Sequence, residues 1–371
     1  MLKINSDKPY HIYADVLEQG ALDQFESAMA QPFVVKGALM PDAHFGYSLP
    51  IGAVVATGGV IVPSWVGYDI GCGMCAMPTS FEADQLKDHA KNIFDDIYKA
   101  LPVGFIHNQK PSMWVGNEDI KCTSKMREIF EKDGLRQLGS LGGGNHFAEV
   151  GVDGSGKVWI VAHSGSRGIG HATATHYMKL ASGTDKAKEG HFGFDVESEN
   201  GLNYIDDLNF CLQFALANRR EIIERICSVL SSRISGSGEW ESIINRNHNH
   251  AELRDGLWIH RKGATHAEAG MLGVIPGNMR DGSFIVRGKG CPDSLYSSSH
   301  GAGRCLGRKE AQRTLTMDQF QETMVGVVAR VDSSTLDESP FAYKDIYDVM
   351  KHQTDLVEVI TRIKPTVNIK G

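Results

Sequence analysis

Forty-one of the 371 residues are glycine, and they gather in short clusters between apolar runs instead of spreading evenly. A chain written this way must turn tightly and often, so its glycines mark working loops and not low-complexity sequence. The chemistry-bearing residues sit in those same loops. PDAHFGY (41–47), VGYDIGCG (66–73), LGSLGGGNHFAEV (138–150), HSGSRG (163–168), NHNH (247–250) and SSSHGAGR (297–304) each place a histidine, carboxylate or thiol beside a glycine or another polar turn residue.

The segments between the loops alternate in type. GAVVATGGVIV (52–62) has the β-branched density of buried strands joined at Gly58-Gly59, and KVWIVAH (157–163), LWIH (257–260), SFIVRG (283–288) and 366–369 also read as strands. Helical spacing covers 84–101, 124–133, the stretch after SGSRGIG, 204–230, 307–315, 317–330 and 343–352. A helical start near Gly303 would present free N–H groups to an anion. No Pro/Ser-rich linker, repeat or long charge run divides the chain, which predicts a single α+β domain over 1–371.

A formal net charge of −7 gives no global attraction to nucleic acid. It excludes a non-specific RNA coat but not an RNA enzyme that uses a local basic patch or a metal ion. Seven irregularly spaced cysteines exclude a disulfide framework, and no run approaches the ~18 apolar residues of a membrane span. The expectation is a cytoplasmic protein without membrane partners, whose thiols are free to bind metal.

Asp69 and Cys72 lie three residues apart between glycines, so a carboxylate and a thiolate can face one divalent ion. His146, His163 and His248 come from three further loops. Oxygen, nitrogen and a lone sulfur together suit manganese or zinc, while the lack of a CxxC pair disfavours a closed structural zinc site. His300 stands in a small-residue loop with Arg304 nearby, where an imidazole can attack phosphorus and a guanidinium can steady phosphoryl oxygens. Arg261 and Lys262, with a second cluster of Arg287, Lys289, Arg304, Arg308, Lys309 and Arg313, offer a patch for an RNA end or a triphosphate.

These segments together resemble the RtcB family of RNA ligases. The matching stretches are PDAHFGYSLPIGAV, VGYDIGCG, LPVG (101–104), GGGNHFAEV, AHSGSRGIGH, ALANRR (215–220), WIHRKGAT, VIPGNM, SSSHGAGR, GRKEA, AYKDI (342–346) and KG (370–371), in family order from about residue 40 to 371. The resemblance implies an α+β fold with mixed sheets around a deep metal-containing cleft flanked by helices. It implies Asp69, Cys72, His146, His163 and His248 as ligands of two manganese ions, with Cys72 bridging. It makes His300 the nucleophile that takes GMP from GTP, with Arg304 beside it and Arg167 near the RNA phosphate. Asn145, Glu149, Lys262, Ala302, Tyr343 and Lys370 would surround the nucleotide.

The implied reaction joins an RNA 3′-phosphate or 2′,3′-cyclic phosphate to a 5′-hydroxyl through a histidine–GMP intermediate. Family neighbourhoods add the expectation of a release-factor-like or activating partner. Gly71, Met74, Phe45, Asn278 and Ser299 depart from the family's usual residues, and the chain is shorter than common members. That pattern suggests a divergent branch serving RNA repair. Two rival readings are a binuclear RNA-end phosphatase or cyclic phosphodiesterase, which gives His300, Arg304 and Lys370 no role, and a non-catalytic RNA-binding module, which has no need of Cys72 and three loop histidines.

Overall fold

The computed structural model describes residues 2–371. Its scaffold is a large mixed sheet whose main path runs Leu272–Pro276, Ser283–Gly288, Val357–Lys370, Phe147–Asp153, Val158–Ser164, Gly73–Pro78 and Ile244–Asn247, with Val328–Ala329 pairing in parallel against Val357–Lys370. Period-two alternation assigns the faces of its middle strand. Val158, Ile160 and Ala162 join a core with Ile222, Ile223, Ile226 and Leu230 of the helix Glu199–Ser231 and with Ile93 and Ile97 of the helix Ala90–Ala100. Trp159 and Val161 face the opposite way, onto Met74, Phe147, Val274 and Ile285.

A five-stranded sheet, ordered Tyr10–Ile12, Val34–His44, Ile51–Thr57, Leu257–Lys262 and Asn249–Arg254, supplies the second wall. Leu39, Ala53 and Val55 on one face pack against Phe25 and Met29 of the helix Gln19–Met29. Ala38, Met40, Val54 and Ala56 on the other face pack toward Ile275, Phe284 and Val286 of the large sheet's edge. A short ladder, Ala264–His266 against Ser297–Ser299, links the two sheets.

The expected α+β class is what the structure has, and several elements have different limits. The 84–101 helix is two helices, Ala83–Asp88 and Ala90–Ala100, broken at His89. The helical stretch 124–133 begins as Ser124–Ile129 and widens into a π turn over Phe130–Gly134. The helix expected over 317–330 stops at Thr323, because Gly326 turns left-handed (φ 90°) and Val328–Ala329 becomes a strand. Tyr343 is outside the helix expected there; it bridges to Arg304, and the helix Ile346–Lys351 starts where the Asp345 side chain accepts from the Tyr347 N–H. The strand placed near 366–369 is 14 residues long. Val60–Ile61 does not fold back on the preceding strand but pairs with Phe194–Asp195.

No helix starts near Gly303. That residue is left-handed (φ 74°), and a Cβ there would sit 2.2 Å from the Asp42 carbonyl oxygen. The chain bends through this loop, Arg304 bridges to Tyr343, and the next helix begins at Arg308. An anion in this loop therefore meets side chains and isolated amides, not a helix terminus.

Ile160 is fully buried in the middle of the large sheet. Ile160→Ala should cost about 2–5 kcal/mol through lost burial and a cavity, read as a fall in thermal or denaturant midpoint. A loss under ~1 kcal/mol would show that the sheet–helix interface repacks freely.

Candidate active site

Antiparallel pairing collects the metal-ligand candidates at one end of the large sheet. Neighbouring strands run in opposite directions, so the start of one lies beside the end of the next. His146 immediately precedes Phe147–Asp153, His163 is near the end of Val158–Ser164, Cys72 precedes Gly73–Pro78, and His248 follows Ile244–Asn247. The registers Phe147↔His163, Met74↔His163 and Gly73↔Asn247 put all four in one row.

Their donor atoms converge. Cys72 Sγ lies 3.3 Å from His146 Nε2 and 3.2 Å from His163 Nε2, and His163 Nε2 lies 3.2 Å from His248 Nε2. Asp69 Oδ2 lies 2.8 Å from His146 Nε2. Sulfur and nitrogen donors of Cys72, His146 and His163 lie within 4.8 Å of one another. One carboxylate, one thiol and three imidazoles facing a common point fit a divalent cation of borderline softness. The Asn145 carbonyl meets His163 Nδ1 at 3.2 Å, the contact that aims the opposite ring nitrogen at a metal.

Burial, and then the neighbouring imidazoles, hold His163 and His248 well below the usual histidine range, so both are neutral and competent to ligate. Burial and the Asp69 carboxylate push the Cys72 thiol well up. Burial opposes ionisation of Asp69, but the adjacent His146 outweighs it and holds the carboxyl down at about 2. A cation at this point reverses the disadvantage of the buried thiolate.

Arg219 ties together the segments that carry the candidate ligands. Its fully buried guanidinium donates to the Gly71 and Ser164 carbonyls (2.7 and 2.9 Å) and to the Asn245 and Asn247 side chains (2.7 and 2.6 Å). Those four positions bracket Cys72, His163 and His248. Asn218 does the same one residue earlier, accepting from Gly139 N–H at 2.7 Å and donating to the Ser140 and Gly165 carbonyls. The sequence showed ALANRR without a role for either residue; a fully charged side chain on the apolar face of a long helix was the available signal.

His300 stands beside this row. Its ring centroid is 4.8 Å from that of His248 at 73°. Nδ1 is 2.7 Å from Asp42 Oδ2, although its N–H is not directed along the contact, so the pair is electrostatic more than a formed hydrogen bond. The backbone N–H groups of His300 and Gly301 donate to the same oxygen at 3.2 and 3.3 Å. Burial opposes ionisation of Asp42, and the His300 contact overcomes it, lowering the carboxyl. Nδ1 is thereby kept on the Asp42 side, leaving Nε2 as the ring's available nitrogen.

Asp69, Cys72, His163, His248 and His300 all line a cleft of about 520 Å³, together with Asn145, Lys262, Ala302, Arg304, Tyr343 and Lys370. Glu338, which the sequence reading missed, organises one part of it. Its carboxylate accepts from Lys370 Nζ and the Tyr343 hydroxyl at 2.5 Å, from Arg308 at 2.6 Å and from Arg304 at 3.3 Å. Burial opposes its ionisation, but Lys370 and Arg308 hold it down at about 2. The set is positively charged overall and faces the cleft.

Three expected residues stand outside the lining. His146 is behind Cys72 and Asp69. Glu149 is buried behind Asn368, whose side-chain amide donates to it at 3.3 Å. Arg167 (φ 60°) donates to Ser140 Oγ at 3.0 Å and the Gly104 carbonyl at 2.6 Å. Gly142 is required there: a Cβ would lie 2.2 Å from His146 Nδ1 and 2.3 Å from an Arg167 terminal nitrogen.

A family model described as tRNA-splicing ligase RtcB matches residues 24–371. The chain is 35% identical over 390 positions to the RNA-splicing ligase RtcB of Escherichia coli K12, covering 96% of this chain and 95% of that one. It is 28% identical over 459 positions to the tRNA-splicing ligase RtcB of Thermococcus kodakarensis, covering 98% and 95%. The longer archaeal alignment carries gaps against these 371 residues.

Burial raises Glu149 to about 8, so the folded chain keeps it protonated where the unfolded chain ionises it. The folded state then binds more protons between about pH 4.5 and 8. Stability is complete below that window and falls as pH rises through it. Glu149→Gln should flatten this part of a Tm–pH profile and leave the variant relatively more stable at pH 8 than at pH 4. An unaltered slope would place the titration elsewhere.

Proposed function

The chain belongs to the RtcB family, and from that premise we propose that it is a GTP- and manganese-dependent RNA ligase working through a guanylylated His300. The observation that carries the reading is the placement of His300. An imidazole whose Nδ1 is held at Asp42 stands 4.8 Å, centroid to centroid, from a ligand-competent histidine in a cleft lined by Arg304 and Lys370.

In this reading Asp69, Cys72, His146, His163 and His248 would hold two manganese ions. The ions supply Lewis-acid neutralisation of phosphoryl oxygens. Asn145, Ala302, Arg304, Tyr343 and Lys370 contact the guanylate, Glu149 supports that wall through Asn368, and Lys262 and Arg167 serve the triphosphate and RNA phosphates. His300 Nε2 bonds to the α-phosphorus of GTP as the bridging P–O bond breaks and pyrophosphate leaves with the electron pair. Asp42 stabilises the positive charge that develops on the ring.

An oxygen of the RNA 3′-phosphate then displaces His300 from the GMP phosphorus. Where the end is a 2′,3′-cyclic phosphate, water opens it first. Finally the 5′-hydroxyl oxygen attacks the activated 3′-phosphorus, loses its proton, and GMP departs with the P–O electrons. The setting we infer is RNA repair in the cytoplasm; among the described residues no helix is long and apolar enough to cross a membrane. A phosphatase or cyclic phosphodiesterase has no use for Glu338 gathering Tyr343, Arg304 and Lys370 around one face of the cleft, which favours the ligase.

Incubation with α-labelled GTP and manganese should leave an acid-labile, alkali-stable label on the protein, absent in His300→Ala and reduced in Asp42→Asn. Unlabelled wild type with metal bound would sink the reading. Separately, Cys72→Ser should weaken manganese binding by about tenfold or more, measured by calorimetry without any nucleotide. Unchanged affinity and stoichiometry would remove Cys72 from the ligand set.

A further inference from the structure

A second group of side chains lines the same cleft without a part in the steps above. Tyr47, Tyr68 and His171 form an aromatic series: Tyr68 stacks on His171 (centroids 4.9 Å, 21°) and Tyr47 meets Tyr68 edge-on (6.4 Å, 90°). Tyr47 is 72% exposed, and His171 is exposed as well. An exposed tyrosine on a loop usually marks mobility, but this loop is pinned. Gln24 accepts from the Gly46 N–H at 3.0 Å and donates to the Gly46 and Tyr47 carbonyls at 2.9 and 2.8 Å. Glu18 accepts from the Phe45 N–H. The ring is thus displayed by a braced backbone, with its faces left open.

Lys262 supplies an independent observation. Only 7% exposed, its ammonium makes one long hydrogen bond, 3.3 Å to the Ser64 carbonyl. It sits so close to Gly67, the residue before Tyr68, that a Cβ there would lie 2.5 Å from Nζ. A buried ammonium with unused donors, lining a cleft next to an open aromatic series, is the pairing by which proteins grip single-stranded nucleic acid: a cation for the backbone and a π-face for the base.

We propose that Tyr47, with Tyr68 and His171 behind it, stacks the terminal nucleobase of the RNA strand that bears the 3′-phosphate, and that Lys262, released from the triphosphate once pyrophosphate has left, receives a phosphate of that strand. The choice of strand follows from charge. A 3′-phosphate end brings extra negative charge that a 5′-hydroxyl end lacks, and Lys262 is the cation beside the aromatic series. Stacking is indifferent to base identity, so this subsite grips an end without selecting its sequence. The proposal rests on the ligase reading above and deepens it by saying what holds the acceptor of GMP.

The experiment compares wild type, Tyr47→Ala and Tyr47→Phe in two assays: labelling by α-labelled GTP, and ligation with each RNA strand varied separately. Tyr47→Ala should raise the KM for the 3′-phosphate strand about tenfold or more, with a far smaller effect on the labelling rate and on the KM for the 5′-hydroxyl strand. Tyr47→Phe should restore wild-type behaviour, since it keeps the ring. A 3′-phosphate strand with an abasic terminal nucleotide should cost wild type the same factor, and Tyr47→Ala should lose nothing further on it. An unchanged KM, a rise confined to the 5′-hydroxyl strand, or full additivity with the abasic end would overturn the proposal. Absence of labelling in wild type would instead be a failure of the ligase reading, so the two are told apart.

Discussion

Everything at the cleft depends on one buried cation. Arg219 comes from the middle of a 33-residue helix and reaches through the large sheet's end to two backbone carbonyls and two asparagine side chains. A guanidinium without solvent is costly, and burial lowers its pKa to about 10. Four well-directed hydrogen bonds offset that cost and fix a planar fork in place. Three segments that carry candidate ligands are thereby held to one another by a group that does not line the cleft. Substituting lysine keeps the charge but loses the fork.

The strand ends would be a loose collection without this brace. Pairing register sets the order of Cys72, His146, His163 and His248 along the sheet, but not the angle at which each loop leaves it. Asn218, next to Arg219, controls the glycine loop 139–140 and the turn at Gly165 in the same way. These hydrogen bonds tie the helix to the sheet and its loops, and the five-stranded sheet supplies Asp42 and Lys262 from the other wall.

The alternation of apolar runs and glycine loops was legible in the sequence as an α+β chain, and the same segments already carried Cys72, His146, His163 and His248, which the fold gathers at one end of the large sheet. The expected RtcB-type fold and family membership stand. Local pattern failed where long-range pairing decides. Residues 317–330 have helical spacing, yet Val328–Ala329 joins a strand that periodicity cannot see. A helix start is expected near Gly303, whereas that residue's left-handed backbone and close approach to the Asp42 carbonyl keep it in a loop. Glu338 and Arg219 were invisible for a similar reason: a charge in a helical or turn segment looks solvated until its partners, far away in the chain, are known. Asp42 was noted only as a turn residue, because nothing local joins it to His300.

The strand Val357–Lys370 lies inside the large sheet, and its hydrogen-bonding neighbour there is contributed much earlier: Asn368 and Glu149 are 219 residues apart. Ser283–Gly288 pairs along its other edge. A nascent chain can therefore build the helix Glu199–Ser231 and its flanking strands while two sheet edges stay open side by side. Such unpaired edges invite pairing with other chains, and closure of so distant a contact is slow. Val357–Lys370 thus ties distant parts of the chain into one sheet, and the cleft wall that carries Lys370 forms only when that long-range pairing does.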